Sequence, residues 1–115
     1  MAPAYDPATE VTLTGVVTEV KEITGVNPLA GITLAIKVKG EGVEVYVAPA
    51  EFLKMLDAKF HKDGEVQVKG SKVRFQDTDL ILSREIRLGQ MVLAIRDKDG
   101  VPFWKYFLKT IPTGL

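Results

Sequence analysis

Short runs of alternating apolar and polar residues, broken once by a stretch with helical spacing, leave few folds open to this chain. Three strand-like runs, Val11 to Ile23, Ile32 to Val38 and Val43 to Val47, come first. A helical stretch follows from Pro49 to Phe60, and strand runs resume at Val66. Alternation puts every second side chain on one face of a sheet, whereas a period near 3.6 makes one stripe on a helix. Three strands, a helix and two more strands predict a small all-β barrel with one helix.

At 115 residues the chain is near the commonest size of one domain and can bury roughly two-thirds of its unfolded surface. Its 15 basic and 15 acidic side chains cancel, which excludes a global field drawing it to nucleic acid or an anionic membrane, so a charged partner must be met locally. No run approaches the roughly 20 apolar residues that span a bilayer. With no cysteine there are no disulfides and no thiolate nucleophiles or ligands, and the redox compartment is left open. Met1, Ala2 and Pro3 lead into a polar segment without the basic start and apolar core of an export signal, so none is expected within the chain. Whether a signal preceded Met1 stays open.

Residues 1–10, with Pro3 and Pro7 and no periodicity, read as an extended or frayed arm. In the first strand Val11 and Leu13 share one parity and Val16 and Val20 the other, which places a bulge or bend beside Gly15. The next two strands alternate without fault and join through Gly40-Glu41-Gly42 as an antiparallel hairpin. Thr24 to Gly31 is a longer turn-rich loop and a candidate binding edge. Phe52, Leu53, Leu56 and Phe60 form the helical stripe expected to plug one barrel end. A second bend is expected at Gly70-Ser71, before a strand carrying Leu80, Leu82, Ile86 and Leu88 on one parity. Beyond Gly89 an added hairpin is expected, with Pro102 on an edge. The domain proper then runs over residues 11–104, with a tail over 105–115.

Together, residues 11–88 resemble the OB-fold, a five-stranded Greek-key barrel with its helix between the third and fourth strands. In OB-folds the face of strands 2 and 3 and the loops beside it bind oligonucleotides or oligosaccharides. More narrowly, Tyr5-Asp6-Pro7-Ala8-Thr9-Glu10-Val11, Ala48-Pro49-Ala50-Glu51-Phe52-Leu53 and Val66-Gln67-Val68-Lys69-Gly70-Ser71 resemble small exported bacterial OB-fold proteins that include magnetosome-associated relatives. That resemblance implies the fold and a periplasmic or exported address, and it brings no defined activity or cofactor.

Single-strand binding requires bases stacked on aromatics along a basic groove. The candidate groove is Tyr46 with Lys37 and Lys39, joined by Lys72 and Arg74, and Glu41, Glu44 and Glu51 work against it. The competing reading is a solvated strand face. Phe103, Trp104, Tyr106 and Phe107, with Lys105 and Lys109, form a second candidate, either core packing or a patch for a protein partner or self-association. Arg84, the one charge on an apolar parity, requires a carboxylate such as Glu10, Glu19 or Glu51, or a bulge that turns it outward. The lone His61 reads as a surface residue, and Asp97-x-Asp99-Gly100 as a hairpin turn rather than a calcium loop. No phosphate loop, nucleophile elbow or Cys/His cluster is present, so the expectation is a non-catalytic binding or assembly module without cofactor or metal.

Overall fold

The computed structural model describes residues 3–108, without the side chains of residues 107 and 108. The expected tail therefore lies partly outside the described residues, as do Lys109 and the Phe107 side chain. The strands are β1 (Glu10–Ile23), β2 (Gly31–Val38), β3 (Glu41–Ala48), β4 (Glu65–Phe75), β5 (Thr78–Leu88) and β6 (Met91–Ala94). Helices α1 (Ala50–Met55) and α2 (Trp104–Leu108) and a 3-10 turn over Pro7–Thr9 complete the described elements. The sheet runs β3-β2-β1-β4-β5-β6, and a parallel pairing of Val45 with Ile81 and Tyr46 with Leu82 joins β3 to β5. Five strands thus close into a barrel of OB type, with β6 added outside.

The core inside the barrel holds Val17, Leu34, Ile36, Val45, Val47, Phe52, Val66, Val68, Ile81 and Ile86. At about 25 cal/mol per Å² of apolar surface removed from water, such side chains are the main favourable contribution to folding. The bulge in β1 lies after Val17, where the pairing with β2 steps over Thr18, and not beside Gly15. Parity therefore persists through Gly15, and Val17 enters the core while Val16 stays outside. Gly15 serves a different purpose: a Cβ there would come within 2.7 Å of the Lys37 carbonyl oxygen.

Between β4 and β5 the register shifts at Lys69/Gly70, where Gly70 faces Ser83 and Lys69 faces Glu85. The unopposed residue is Arg84 on β5. That one extra residue lets Ser83 and Ile86, three apart, both face the barrel, and it turns Leu80 and Leu82 onto the opposite face. There they form a second apolar cluster with Leu29 and Tyr46, flanked by Val73, Phe75, Tyr5 and Trp104. The expected single parity of Leu80, Leu82 and Ile86 is thereby split. The Arg84 carbonyl accepts the N–H groups of Ile95 (2.8 Å) and Arg96 (3.0 Å), which anchors the segment after β6.

Two hairpins turn on two residues each, Lys39-Gly40 and Gln76-Asp77, all with positive φ. This matches the right-handed twist of the flanking strands. The first turn sits one residue earlier than its glycines suggest. Helix α1 is half the expected length. It stops because Asp57 takes φ 54° while the Ala58 N–H reaches back to the Leu53 carbonyl (2.9 Å) and the Asp57 N–H to that of Lys54 (3.1 Å). These are the reverse-turn bonds of a Schellman motif, formed here without glycine. Leu56 and Phe60 still pack on the core from beyond the helix. After β6, an Arg96–Pro102 bridge and a turn over Asp97–Gly100 complete a reduced hairpin. The Asp97 carboxylate accepts the N–H groups of Asp99 and Val101, both at 2.9 Å.

The N-terminal arm is tied down over residues 5–9. The Asp6 N–H donates to Oγ of buried Ser71 (3.0 Å), and the Thr9 hydroxyl lies 2.8 Å from the same atom.

Candidate functional site

Strand parity does put Tyr46 on the outer face of β3, opposite Thr33 of β2. It is nevertheless 3% exposed, because Leu29 from the β1–β2 loop and Trp104 from α2 cover it. Its hydroxyl donates to the Ala30 carbonyl (2.8 Å), and its ring meets Trp104 edge-on at 6.3 Å. Burial pushes the Tyr46 phenol up to about 12. The expectation of an outward, stackable tyrosine is corrected here: Leu29 from a loop and Trp104 from a distant helix cover its ring.

Nor do the candidate cations converge on it. Lys37 lies four residues along β2 from Thr33, a separation of roughly 13 Å. Lys39 is in the hairpin turn at φ 51°. Lys72 lines a shallow cleft with Glu41, Glu44 and Asp79. Arg74 is paired to Asp79 at 2.9 Å and also donates to the Asp77 carbonyl (3.1 Å). The cation nearest Tyr46 by register is Lys21, opposite Thr33, and it pairs with Glu44 at 3.0 Å. That bond holds the Lys21 ammonium above its ordinary value. Two of the cations about this face, Lys21 and Arg74, are thus held by carboxylates of the same molecule.

The second candidate, Phe103, Trp104 and Tyr106, is mostly packing. Phe103 and Trp104 sit against the core and Tyr106 is exposed. Trp104 meets Phe52 at 5.8 Å, and the guanidinium of Arg96 lies 5.0 Å from the Trp104 ring and 5.6 Å from that of Tyr5. Arg96 also donates to the Gly100 carbonyl (3.0 Å), while its buried Nε has no partner. Desolvation lowers its pKa. Tyr5 in turn donates to Glu10 at 2.5 Å, and Glu10 receives Arg84 at 3.0 Å. Of the three carboxylates open to Arg84, Glu10 is the one used. Neither Tyr5 nor Arg96 was singled out by its local sequence, because the contact between them joins the two ends of the fold.

An open apolar surface lies at the barrel end. Val20 of β1, Ile32 of β2, Ala50 and Leu53 of α1, and Ala58 and Phe60 after it line a groove of ≈ 390 Å³. Val20 is 39% exposed on a strand face that elsewhere points into the core. Glu22, Lys54, Asp57, Lys59 and His61 form the rim. An apolar groove with a charged rim can hold an apolar segment of another molecule. Among the described residues no cluster of three or more His, Cys, Asp or Glu could hold a metal ion. No described helix is long and apolar enough to cross a membrane.

A family model, the MamS/MamX magnetosome protein family, matches residues 9–93, from β1 into β6. The chain belongs to the MamS/MamX magnetosome protein family. No curated protein matches this MamS/MamX member. Among solved structures it is similar to a chain of a Replication Protein A heterotrimer bound to ssDNA, with a TM-score of 0.51 and 18% identity. The match covers 70% of this chain and spans 57% of that one, and at this identity it shows the barrel fold alone. A binding or assembly module fits both the MamS/MamX family and the OB-type barrel.

Proposed function

We propose that this chain is a non-catalytic protein-binding module whose partner lays an apolar segment into the barrel-end groove of Val20, Ile32, Leu53 and Phe60. The observation that carries this reading is the burial of Tyr46, on the outer β2–β3 face, under the protein's own Leu29 and Trp104. That face is where OB-folds take up single strands. With Tyr46 covered and Lys21 and Arg74 ion-paired there, the barrel-end groove offers an open apolar concavity elsewhere on the barrel. An extracytoplasmic address belongs to the same reading, supported by the resemblance to exported relatives.

The test is a photoactivatable cross-linking residue placed at Val20, with Gln67, exposed on β4, as control, in cells that make the protein. Protein adducts from position 20 and none from position 67 support the module. Equal labelling at both positions, or none, overturns it. The second reading, single-strand binding, is separated by anisotropy of a labelled oligonucleotide at about 50 and about 200 mM salt, where phosphate contacts show a steep salt dependence. The expected result is no binding at either salt concentration.

A further inference from the structure

Several strand edges in this fold pair with no other strand among the described residues; those of β3 before Val45 and of β4 after Ser71 carry charges, and two others differ from each other. One is the far half of β1: its pairing with β4 ends at Val16↔Glu65, so residues 18–23 are bonded to β2 only. The other is the outer edge of β6, which bonds to β5 on one side, from Met91 to Ala94. Among the described residues the returning chain does not pair with that outer edge. It meets the segment only from Ile95 on, where the Phe103 N–H donates to the Ile95 carbonyl (3.0 Å).

The two edges differ in how they are guarded. Unpaired strand edges template pairing with another chain, and proteins blunt them with charges, proline or bulges. The β1 edge carries a bulge at Thr18 and then Glu19, Lys21 and Glu22. From Gly89 to Ile95 the β6 edge carries none of these: the run Gly-Gln-Met-Val-Leu-Ala-Ile has no charge, no proline and no register shift against β5. Met91 and Val92, on its two faces, are 48% and 44% exposed. Its one protection is its brevity.

We infer that β6 is a self-association edge, along which two copies pair antiparallel about a two-fold axis. A two-fold pairing sets a strand against its own reversed sequence, so a charge near its centre would meet a like charge. The neutral run of Gln90 to Ile95 meets no such opposition in any register, whereas Glu19 and Glu22 oppose each other in one register of the β1 edge. A second copy also matches apolar Met91 and Val92 with apolar residues. A ladder of four residues covers far less than the roughly 1,200–2,000 Å² of a standard stable interface. The dimer is therefore weak and reversible, and it uses a different strand from the barrel-end groove.

Sedimentation velocity over a wide protein concentration range tests this. The wild type is expected to shift from monomer to dimer as concentration rises. Val92→Lys, at an exposed position where folding can be checked by circular dichroism, is expected to stay monomeric throughout. Mixing Val92→Lys with Val92→Glu is expected to restore a heterodimer, as two facing strands require. A wild type that stays monomeric at the highest concentration overturns the proposal. So does a folded Val92→Lys that dimerises as well as the wild type, or a dimer lost on Val20→Glu instead.

Discussion

The Arg96 guanidinium lies 5.0 Å from the centre of the Trp104 ring and has no carboxylate partner among the described residues. A cation against aromatic faces is stabilised by the ring quadrupole, by up to about 2 kcal/mol when desolvated. The desolvation of the charge and of its unpartnered Nε opposes that gain. Arg96→Met is therefore expected to stay within about 1 kcal/mol of wild type, since it keeps the bulk and removes the buried charge. Trp104→Ala removes packing against Phe52 and Tyr46 and is expected to cost roughly 2–4 kcal/mol. Urea titrations followed by far-UV circular dichroism measure both, and a larger loss for Arg96→Met would show the charge to be the stronger partner.

Tyr46 supplies an alkaline signature. Its folded phenol is raised by burial to about 12, above the roughly 10 of an unfolded tyrosine. A raised value means that the unfolded chain releases its proton first. The stability contributed is complete below about pH 10 and is lost as pH rises towards 12. The Tyr5 phenol is raised as well, by burial and then by its bond to Glu10, and acts in the same direction. Tyr46→Phe should flatten the fall in stability between pH 10 and 12, at a cost of about 1 kcal/mol at neutral pH for the lost bond to Ala30. Unfolding midpoints measured across that window check it.

Glu10 gives the acid counterpart. The hydrogen bond from Tyr5, reinforced by Arg84, holds its carboxyl below the ordinary value despite desolvation. A depressed carboxyl contributes stability that is present above the unfolded value and lost as pH falls through the folded one. Glu10→Gln should reduce stability by about 1–3 kcal/mol at neutral pH, with the difference from wild type shrinking as both are taken into acid. A difference that does not change between pH 7 and pH 3 would remove the charge from the account.

Gly70 should tolerate no side chain. A Cβ there would collide with the Leu82 carbonyl and come within 2.7 Å of Ile81 Cγ2. Both neighbours belong to the strand pair that carries the Arg84 bulge. Gly70→Ala is expected to cost more than about 2 kcal/mol, as overpacking and strain do in tight cores. Thermal unfolding measures it, alongside Gly25→Ala in the open β1–β2 loop, where nothing lies within 4 Å of an added Cβ and only its positive φ resists.

Much of the barrel was legible because alternation in Ile32–Val38 and Val43–Val47 is a local property that directly sets which side chains face inward. What escaped was set by distant partners. Nothing near Asp57 shows that the helix must stop there, since its turn is made without glycine. The bulge in β5 was visible only through its consequence, a charge at Arg84 on an apolar parity, and the choice of Glu10 depends on an arm 74 residues away. For the candidate site, the outward parity of Tyr46 was legible, and its burial was not. Leu29 lies in a loop, Trp104 lies 58 residues further along the chain, and no local pattern places either of them over a strand.

The parallel β3–β5 pairing that closes the barrel has a consequence in time. Val45 and Ile81 stand 36 positions apart, and loop closure of that length precedes the contacts that reward it. A chain made from its N-terminus presents β1, β2 and β3 as an open, partly apolar meander until β5 has emerged. Arg84 arrives with β5 to meet Glu10, and Trp104 later still to meet Tyr46. During synthesis the barrel thus stays open until the last of its five strands has been made.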